Sequence, residues 1–528
     1  MTSTTSSTIT TSSTIQSIAD VKDYFANQNT PYYFISATHF NLMNIEQWVN
    51  NWTHINFIDC FDGANPSIMV PEKAGTPVFD SVEAINAFLL GHQDVVSKIK
   101  QEQRTEVQSK AVFLFFDKEL EEVCHSLDLD ICLPENKLVK SIDNKITTTQ
   151  IGNEAGVASA PNALEKVSSY VELLRIAEEH NLGPKLVIQT AYGDSGKTTF
   201  FIASEADYDR VADQVEAEDK VKIMKHIRCA GTAIEGCATR TGTFVGPLLT
   251  ELIGFPELTP YQGGWCGNEL YQPAFSGDIR RKAHKMTEQL GQALYKRDYR
   301  GYFEVDYLID LDSGEVYLGE LNPRITGISA MTNMSNFCYK NVPLFLFHLL
   351  EYSGANFTVE PTEYNQRSLA SGAQATTGQL IYKYTDQSLQ IITKAPESGI
   401  YKLVTGSANQ PKLVFQKASY DRREALAEDE VFVMRVMQEK EYAYKGGDLA
   451  ILFSNTTLKN PEENLNNTAT ALINALSNIF EFRELTEEEA LLVDRYNSKA
   501  SLKGSALISP EKADSIEKEA TSTEEKEE

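Results

Sequence analysis

The apolar and polar positions of this chain change rhythm along its length. From about residue 19 to 140, short apolar runs at 32–35, 55–61, 111–116 and 131–133 alternate with amphipathic stretches such as 81–90. Short continuous apolar runs mark strands buried on both faces, and helix-period segments between them predict a small open α/β domain. From about 141 to 354 the pattern is mixed. Leu164, Val167, Val171, Leu174 and Ala177 predict a helix opening at Pro161 or Asn162 and ending near Gly183. A strand at 186–190, a glycine-bearing turn and a β-rich stretch at 198–202 follow. Ser204 then caps a further helix with Asp207 in its first turn, and a strand at 221–227 comes next. From about 355 to 495 the short apolar runs at 380–384, 389–393, 412–416, 431–437 and 449–453 predict a β-rich domain closed by a helix at 468–479. Residues 1–18, mostly Ser and Thr without charge, are expected to be a disordered leader, and 496–528 a disordered acidic tail. The fold class is therefore α/β and α+β multidomain: an N-terminal open α/β domain at 19–140, a central domain at 141–354 and a β-rich domain at 355–495.

Composition narrows the function classes. A chain of 528 residues can bury a large core without disulfide or metal staples. Lys and Arg total 48 against 74 Asp and Glu, a net charge of −26. That balance excludes nucleic-acid binding by general electrostatics but leaves room for a local basic pocket around one nucleotide. The longest apolar run, 342–350, is interrupted by His348 and is about half of the roughly 20 residues a membrane span needs. No membrane partner is expected. The seven cysteines form no CxxC pair, so neither a zinc ribbon nor a thioredoxin-type motif is present. Buried free thiols in a reducing cytoplasm are the expectation.

The most informative chemistry lies between Gly301 and Arg324. It reads as a β-hairpin: one apolar strand ending at Asp310, a turn at 311–314 and a return strand at 315–321. Asp306 and Glu320 fall on paired strands, which lie about 5 Å apart, so the two carboxylates can converge. Asn322, two residues past Glu320, shares its face. Two carboxylates and an amide oxygen are the hard ligands Mg2+ prefers, with phosphates and water completing its shell. Arg324 follows where it could neutralise charge on a transferred phosphoryl group. Glu304 shares the face of Asp306 and is a candidate to support it or to bind substrate. An acidic strand alone is usually a solvated face. Solvation does not account for the ordered combination of acid, turn and Glu-Leu-Asn-Pro-Arg. Upstream, Gly193 and Gly196 would let the backbone approach phosphate oxygens, with Ser195 adding a hydroxyl and Lys197 a charge. Taken alone, such a segment is more often an ordinary β-turn.

Together the hairpin, the glycine loop and Lys145 resemble the ATP-grasp superfamily, over about residues 141–352. The resemblance implies carboxylate–amine ligase or biotin carboxylase-like chemistry. Asp306, Glu320 and Asn322 would then hold Mg2+ (with Mn2+ as a substitute) against the ATP phosphates. Lys145 and the loop residues Gly193, Ser195, Gly196 and Lys197 would bind those phosphates, and Arg324 with Lys197 would assist catalysis. The segment around Lys225 and Ile227 corresponds to the hinge that frames adenine. Two departures stand out. Gln189 occupies the place of the usual lysine in the strand before the glycine loop, and Lys225 that of the usual hinge glutamate. A third bears on the reaction: Ile328 stands where biotin carboxylases carry a glutamate base, and isoleucine cannot act as one. The Asn-Pro-Arg-x-x-Gly form, ending in Gly327, is more similar to carboxylate–amine ligases. Between hinge and hairpin, Trp265 and Glu269 lie in a glycine-rich stretch at 260–271 that reads either as a substrate-facing loop or as a structural Ω-loop. Cys266 lacks a motif-linked histidine and is not expected to be a nucleophile.

The expected function is an ATP- and Mg-dependent ligase joining a carboxylate to an amine through an acyl phosphate, with release of ADP and phosphate. The alternatives are a bicarbonate-using carboxylase and a nucleotide-binding protein without turnover. The expected partners are small-molecule carboxylate and amine substrates, with no nucleic acid and homodimer assembly left open.

Overall fold

A computed structural model of the chain describes residues 14–72, 79, 81–103, 107–193, 198–371, 376–406, 409–491 and 493. The N-terminal part is built on a five-stranded parallel sheet. Its order is Ile68–Met69, Trp52–Asn56, Tyr32–Ser36, Ser109–Phe113 and Leu129–Ile131. The apolar runs at 55–61 and 111–116 overrun the strands they mark. Phe57, Phe61 and Phe116 lie past the strand ends yet remain in the apolar core. Apolarity there reports burial, not pairing. Ser81 accepts the backbone N–H of Ala84 and starts the helix Val82–Gly91. The expected leader lies outside the described residues up to residue 13, but it does not extend to residue 18. Ile15 N donates to Asn356 O at 3.0 Å, and Thr358 N to Ile15 O at 2.9 Å. Ser17 then caps the helix Ile18–Asn27.

A four-stranded antiparallel sheet follows, in the order Asn162–Glu165, Val221–Lys225, Leu186–Gln189 and Thr199–Ile202. The helix expected from residue 161 to 183 is corrected here. Residues Asn162–Glu165 are a strand paired with Val221–Lys225, and the helix is only Tyr170–Glu179. Its start is fixed by Ser169, whose hydroxyl accepts Glu172 N. Strand pairing overrides the helical spacing of Leu164 and Val167. One face of this sheet, with Ala163, Leu186, Ile188, Val221 and Ile223, packs a core with Leu173 and Ile176. The other face carries Gln189 and Lys222, which stand directly opposite each other.

The largest sheet has eleven strands among the described residues, all antiparallel where they pair. Its edge is the hairpin Gly301–Asp310 and Val316–Asn322, next to the long strand Cys229–Thr239. The sheet crosses residue 354 without a break, because Trp265–Leu270 pairs with Thr377–Lys383. The stretch expected as a loop at 260–271 thus contains a strand. Gly254 N, bonded to Gly264 O at 2.8 Å, closes the true loop ahead of it. The helix Asn467–Ser477, capped by Asn466, covers the far end. No described helix is long and apolar enough to cross a membrane. All seven cysteines are free thiols and only Cys229 is exposed. The expected acidic tail lies outside the described residues.

Candidate functional site

The hairpin brings its acids together by register. Asp306 stands opposite Glu320, and Glu304 opposite Asn322. A bulge between Asp306 and Tyr307 makes Gly319 the extra residue of the return strand. On the other side of Gly301–Asp310, Glu304 faces Glu235. Residues directly opposite on paired strands share a face, so one sheet face presents Glu235, Glu304, Asp306 and Glu320. Glu251 joins them: its Oε2 lies 2.9 Å from where a Cβ would stand at Gly231, a space only glycine leaves.

Cations and amides hold this row. Lys145 opens the helix Lys145–Ala155, whose N-cap Asn144 accepts Ile146 N and Thr147 N. A cation at a helix N-terminus is disfavoured by the helix dipole. Lys145 is held there by Glu320 Oε1 at 2.7 Å and Gly193 O at 2.9 Å, to both of which its ammonium donates. Asn322 Nδ2 donates to Glu304 Oε2 at 2.6 Å, and Arg324 Nη2 to Asn322 Oδ1 at 3.0 Å. The Arg324 guanidinium lies over the Phe115 ring at 4.7 Å, and its buried Nε has no partner. From the four-stranded sheet, Lys222 reaches across and donates to Gly319 O at 3.1 Å.

The electrostatics follow from crowding and burial. Burial pushes the Asp306 carboxyl up to about 6, with the Glu320 charge adding and Lys145 and Arg324 opposing. Glu304 and Glu251 rise well above the usual carboxylate range, first by burial and then through the Asp306 charge. Burial likewise raises Asp143, which feels Arg324, Glu320 and Lys145. On the cationic side, burial lowers Lys222 to about 8. The Glu304 and Asp306 carboxyls share a hydrogen bond, and among the described residues no other donor reaches the buried Glu304 Oε1. Crowded buried carboxyls of this kind are the environment a divalent cation relieves. The donor set of Asp306, Glu320 and Asn322 fits Mg2+. Among the described residues no group of three His, Cys, Asp or Glu is arranged as a metal cage. Two acids and an amide, with phosphate oxygens to follow, need none.

The other expected residues fall as follows. Gly193 has φ +151°, and a Cβ there would lie 2.0 Å from Thr198 Oγ1, so glycine is required. Ser195, Gly196 and Lys197 lie outside the described residues. Gln189 Nε2 donates to Thr199 Oγ1 at 3.2 Å, and its Oε1 is buried without a partner. The strand expected to be the hinge, Val221–Lys225, ends at an exposed Lys225, and Ile227 lies beyond it. Trp265 packs on Gly327: a Cβ at Gly327 would lie 2.3 Å from its ring. Trp265 Nε1 donates to Asn268 Oδ1 at 2.7 Å. Glu269 is not open to a substrate amine, which corrects that expectation. Its oxygens accept Thr250 Oγ1 at 2.9 Å, Lys459 N at 3.0 Å and also Leu458 N. It braces the turn before residue 460. Cys266 is buried and burial pushes its thiol up to about 12. Ile328, 3% exposed, sits in the apolar core. Nothing in the sequence singles out Lys222, Glu251 or Glu235. Lys222 carried no motif, and the other two become neighbours of the hairpin only through strand register.

No family model and no curated protein matches the sequence. Solved structures do. The chain is similar to the biotin carboxylase domain of the 2-oxoglutarate carboxylase of Hydrogenobacter thermophilus, a structure with MgADP, ADP and bicarbonate. Identity is 10% over 87% of this chain and 92% of that one, with a TM-score of 0.53. It is also similar to the N5-carboxyaminoimidazole synthase of Aspergillus clavatus, in complex with ADP and 5-aminoimidazole ribonucleotide. There identity is 13% over 81% of this chain and 94% of that one, with a TM-score of 0.50. The phosphoribosylamine–glycine ligase of Thermotoga maritima matches at 11% identity over 86% and 98%, with a TM-score of 0.50. At such identities the likeness shows the fold.

Proposed function

From the ATP-grasp fold of this chain, we propose that it is an ATP- and Mg-dependent ligase that joins a carboxylate to an amine through an acyl phosphate. One observation carries the proposal: Asp306, Glu320 and Asn322 converge with Lys145 and Arg324 on one face of the hairpin. A structural hairpin has no need of buried, mutually repelling acids.

In this proposal Asp306, Glu320 and Asn322 hold Mg2+, which supplies charge neutralisation to the ATP phosphates. Lys145 and the glycine loop with Gly193, Ser195, Gly196 and Lys197 cradle those phosphates. The γ-phosphoryl group passes to a carboxylate oxygen of the substrate, and its bond to the ADP oxygen breaks. Arg324 faces the developing charge. An amine nitrogen then attacks the acyl carbon, phosphate leaves, and the nitrogen loses a proton as the amide forms. Trp265, packed on Gly327 beside the Arg324 turn, lines the substrate side. The apolar burial of Ile328 supports amide formation over carboxylation, since no base stands at that position.

A hydroxylamine trap tests this. The protein, ATP and Mg2+ are incubated with pools of amino acids and small carboxylates plus hydroxylamine, which captures an acyl phosphate as a hydroxamate. A hydroxamate that disappears in Glu320→Ala is the expected result. ADP formation that depends on bicarbonate, without hydroxamate, would replace the ligase with a carboxylase. ATP binding with no turnover would leave a nucleotide-binding protein.

A further inference from the structure

A fully buried lysine needs a reason. Lys222 is 0% exposed, and its ammonium donates to a single carbonyl, Gly319 O. An ammonium has three donors. Among the described residues, no carboxylate oxygen lies within ion-pair distance of it. Glu320, next in sequence to Gly319, is engaged with Lys145 at 2.7 Å. A buried charge with an incomplete set of partners is costly, and each one in a native fold calls for an explanation.

The register supplies it. Lys222 stands opposite Gln189 and shares its sheet face. That face turns away from the core of Leu186, Ile188, Val221 and Ile223 and toward the hairpin. Gln189 ends its strand four residues before Gly193. Gln189 Oε1 is buried without a donor, so the amide leaves the position both uncharged and incompletely bonded. Lys145 and Lys222 therefore close on the same short stretch of hairpin from two sides. Lys145 takes the Glu320 carboxylate, and Lys222 the neighbouring Gly319 carbonyl.

We propose that Lys222 is a phosphate-binding residue of the nucleotide site, delivering from the strand Val221–Lys225 the positive charge that Gln189 does not bring from the adjacent strand. The anion it takes is the phosphate chain of a nucleoside di- or triphosphate, an assignment that rests on the ligase proposal above. The cross-strand pair makes the charge transferable: a lysine at residue 189 would enter the same face one strand away.

Calorimetric binding of MgATP, MgADP and adenosine to the full chain tests this, with wild type, Lys222→Met, Lys222→Gln and the double variant Lys222→Met with Gln189→Lys. Thermal unfolding is followed in parallel. Lys222→Gln keeps a donor for Gly319 O without the charge, and decides the matter if the Met variant does not fold. The expected result is a loss of about 10- to 100-fold in MgATP and MgADP affinity, the scale of one charge-assisted contact. Adenosine affinity is unchanged, and the double variant recovers most of the loss. MgATP affinity unchanged in both single variants overturns the proposal and makes Lys222 a strut for Gly319. Equal loss for MgATP and adenosine overturns it too, as a distortion of the site. Failure of wild type itself to bind MgATP defeats the ligase proposal first, before any substitution is considered, and this inference with it.

Discussion

Two facing walls, the hairpin and the four-stranded sheet that Lys222 joins to it, are built on opposite electrostatic plans. On the hairpin wall, acid faces acid: Asp306 is opposite Glu320, and Glu304 opposite Glu235. Like charges directly opposite on paired strands destabilise a sheet, and here burial and crowding raise the carboxyls of Asp306, Glu304 and Glu235 instead. On the wall of the four-stranded sheet, a neutral amide faces an ammonium, Gln189 opposite Lys222, and neither repels the other. The first wall belongs to an eleven-stranded sheet with long pairings, the second to a sheet of four short strands. Electrostatic conflict is thus placed on the wall with the larger scaffold to absorb it. Cations resolve it at present through Lys145 and Arg324, and in the proposed reaction through Mg2+.

The comparison breaks most visibly at Asp306. Asp306→Asn keeps the shape and removes one charge from the row. Turnover in the hydroxamate assay is expected to fall by at least about 100-fold, since metal and phosphoryl charge lose an anionic ligand. The same change should leave the protein without metal as stable as wild type or more so, by about 1 kcal/mol, because the neighbouring acids lose a repelling partner. Turnover near wild type would remove the hairpin from the chemistry. A marked drop in melting temperature would show that the acids stabilise the fold instead of straining it.

The walls also differ in how much of them is legible in sequence. The hairpin wall is legible as a hairpin, because two strands joined by a short turn are near neighbours, but Asp306 and Glu320 share a face only through the bulge at Gly319, which spacing does not show. The parallel strands of the N-terminal part are legible as apolar runs, though their ends are not, since Phe57 and Phe116 are buried without pairing. The strands Leu186–Gln189, Thr199–Ile202 and Val221–Lys225 of the other wall are legible as apolar runs, but their pairing is not. Leu186–Gln189 and Val221–Lys225 are separated by helices, so the partnership of Gln189 with Lys222 exists only in three dimensions. Glu235 and Glu251 escape for the same reason. Glu269 misleads in the opposite direction. An acid in a glycine-rich stretch suggests a ligand, but the backbone N–H groups that occupy it come from residues 458 and 459, far along the chain.

Glu269 sharpens the contrast between acids placed for chemistry and acids placed for structure. It lies on the same large sheet, 2% exposed, with both carboxylate oxygens occupied. Glu269→Ala leaves two backbone donors and the Thr250 hydroxyl without their acceptor. Unsatisfied buried groups cost about 1–3 kcal/mol each before relaxation and water entry. A net destabilisation of about 2–4 kcal/mol in denaturant unfolding is expected, with turnover per folded molecule unchanged. A selective loss of turnover at constant stability would return Glu269 to the substrate site.

The smallest effect tests how far the repulsion of the hairpin wall extends into the protein. Glu235 is fully buried behind Glu304 and accepts from Ser329 and Tyr302 hydroxyls, tying down the turn that follows Arg324. Burial pushes its carboxyl up to about 7, while those hydroxyl donors pull it partly back. The folded state therefore holds this proton more tightly than the unfolded chain, whose carboxyl titrates near 4.5. The stability it contributes is complete below about pH 4.5 and is lost as pH rises to about 7. Glu235→Gln is neutral throughout and carries a pH-independent offset for its poorer fit to two donors. From pH 5 to pH 8, wild type should lose stability relative to Glu235→Gln by about 1–3 kcal/mol. Parallel melting curves at several pH values read the difference, since titration of the groups that do not feel the Glu235 charge cancels between the two proteins, and what remains belongs to Glu235 with its neighbour Glu304. An equal gap at both ends of the range would mean that Glu235 keeps its charge in the folded state, and that the strain of the acidic wall ends at Glu304.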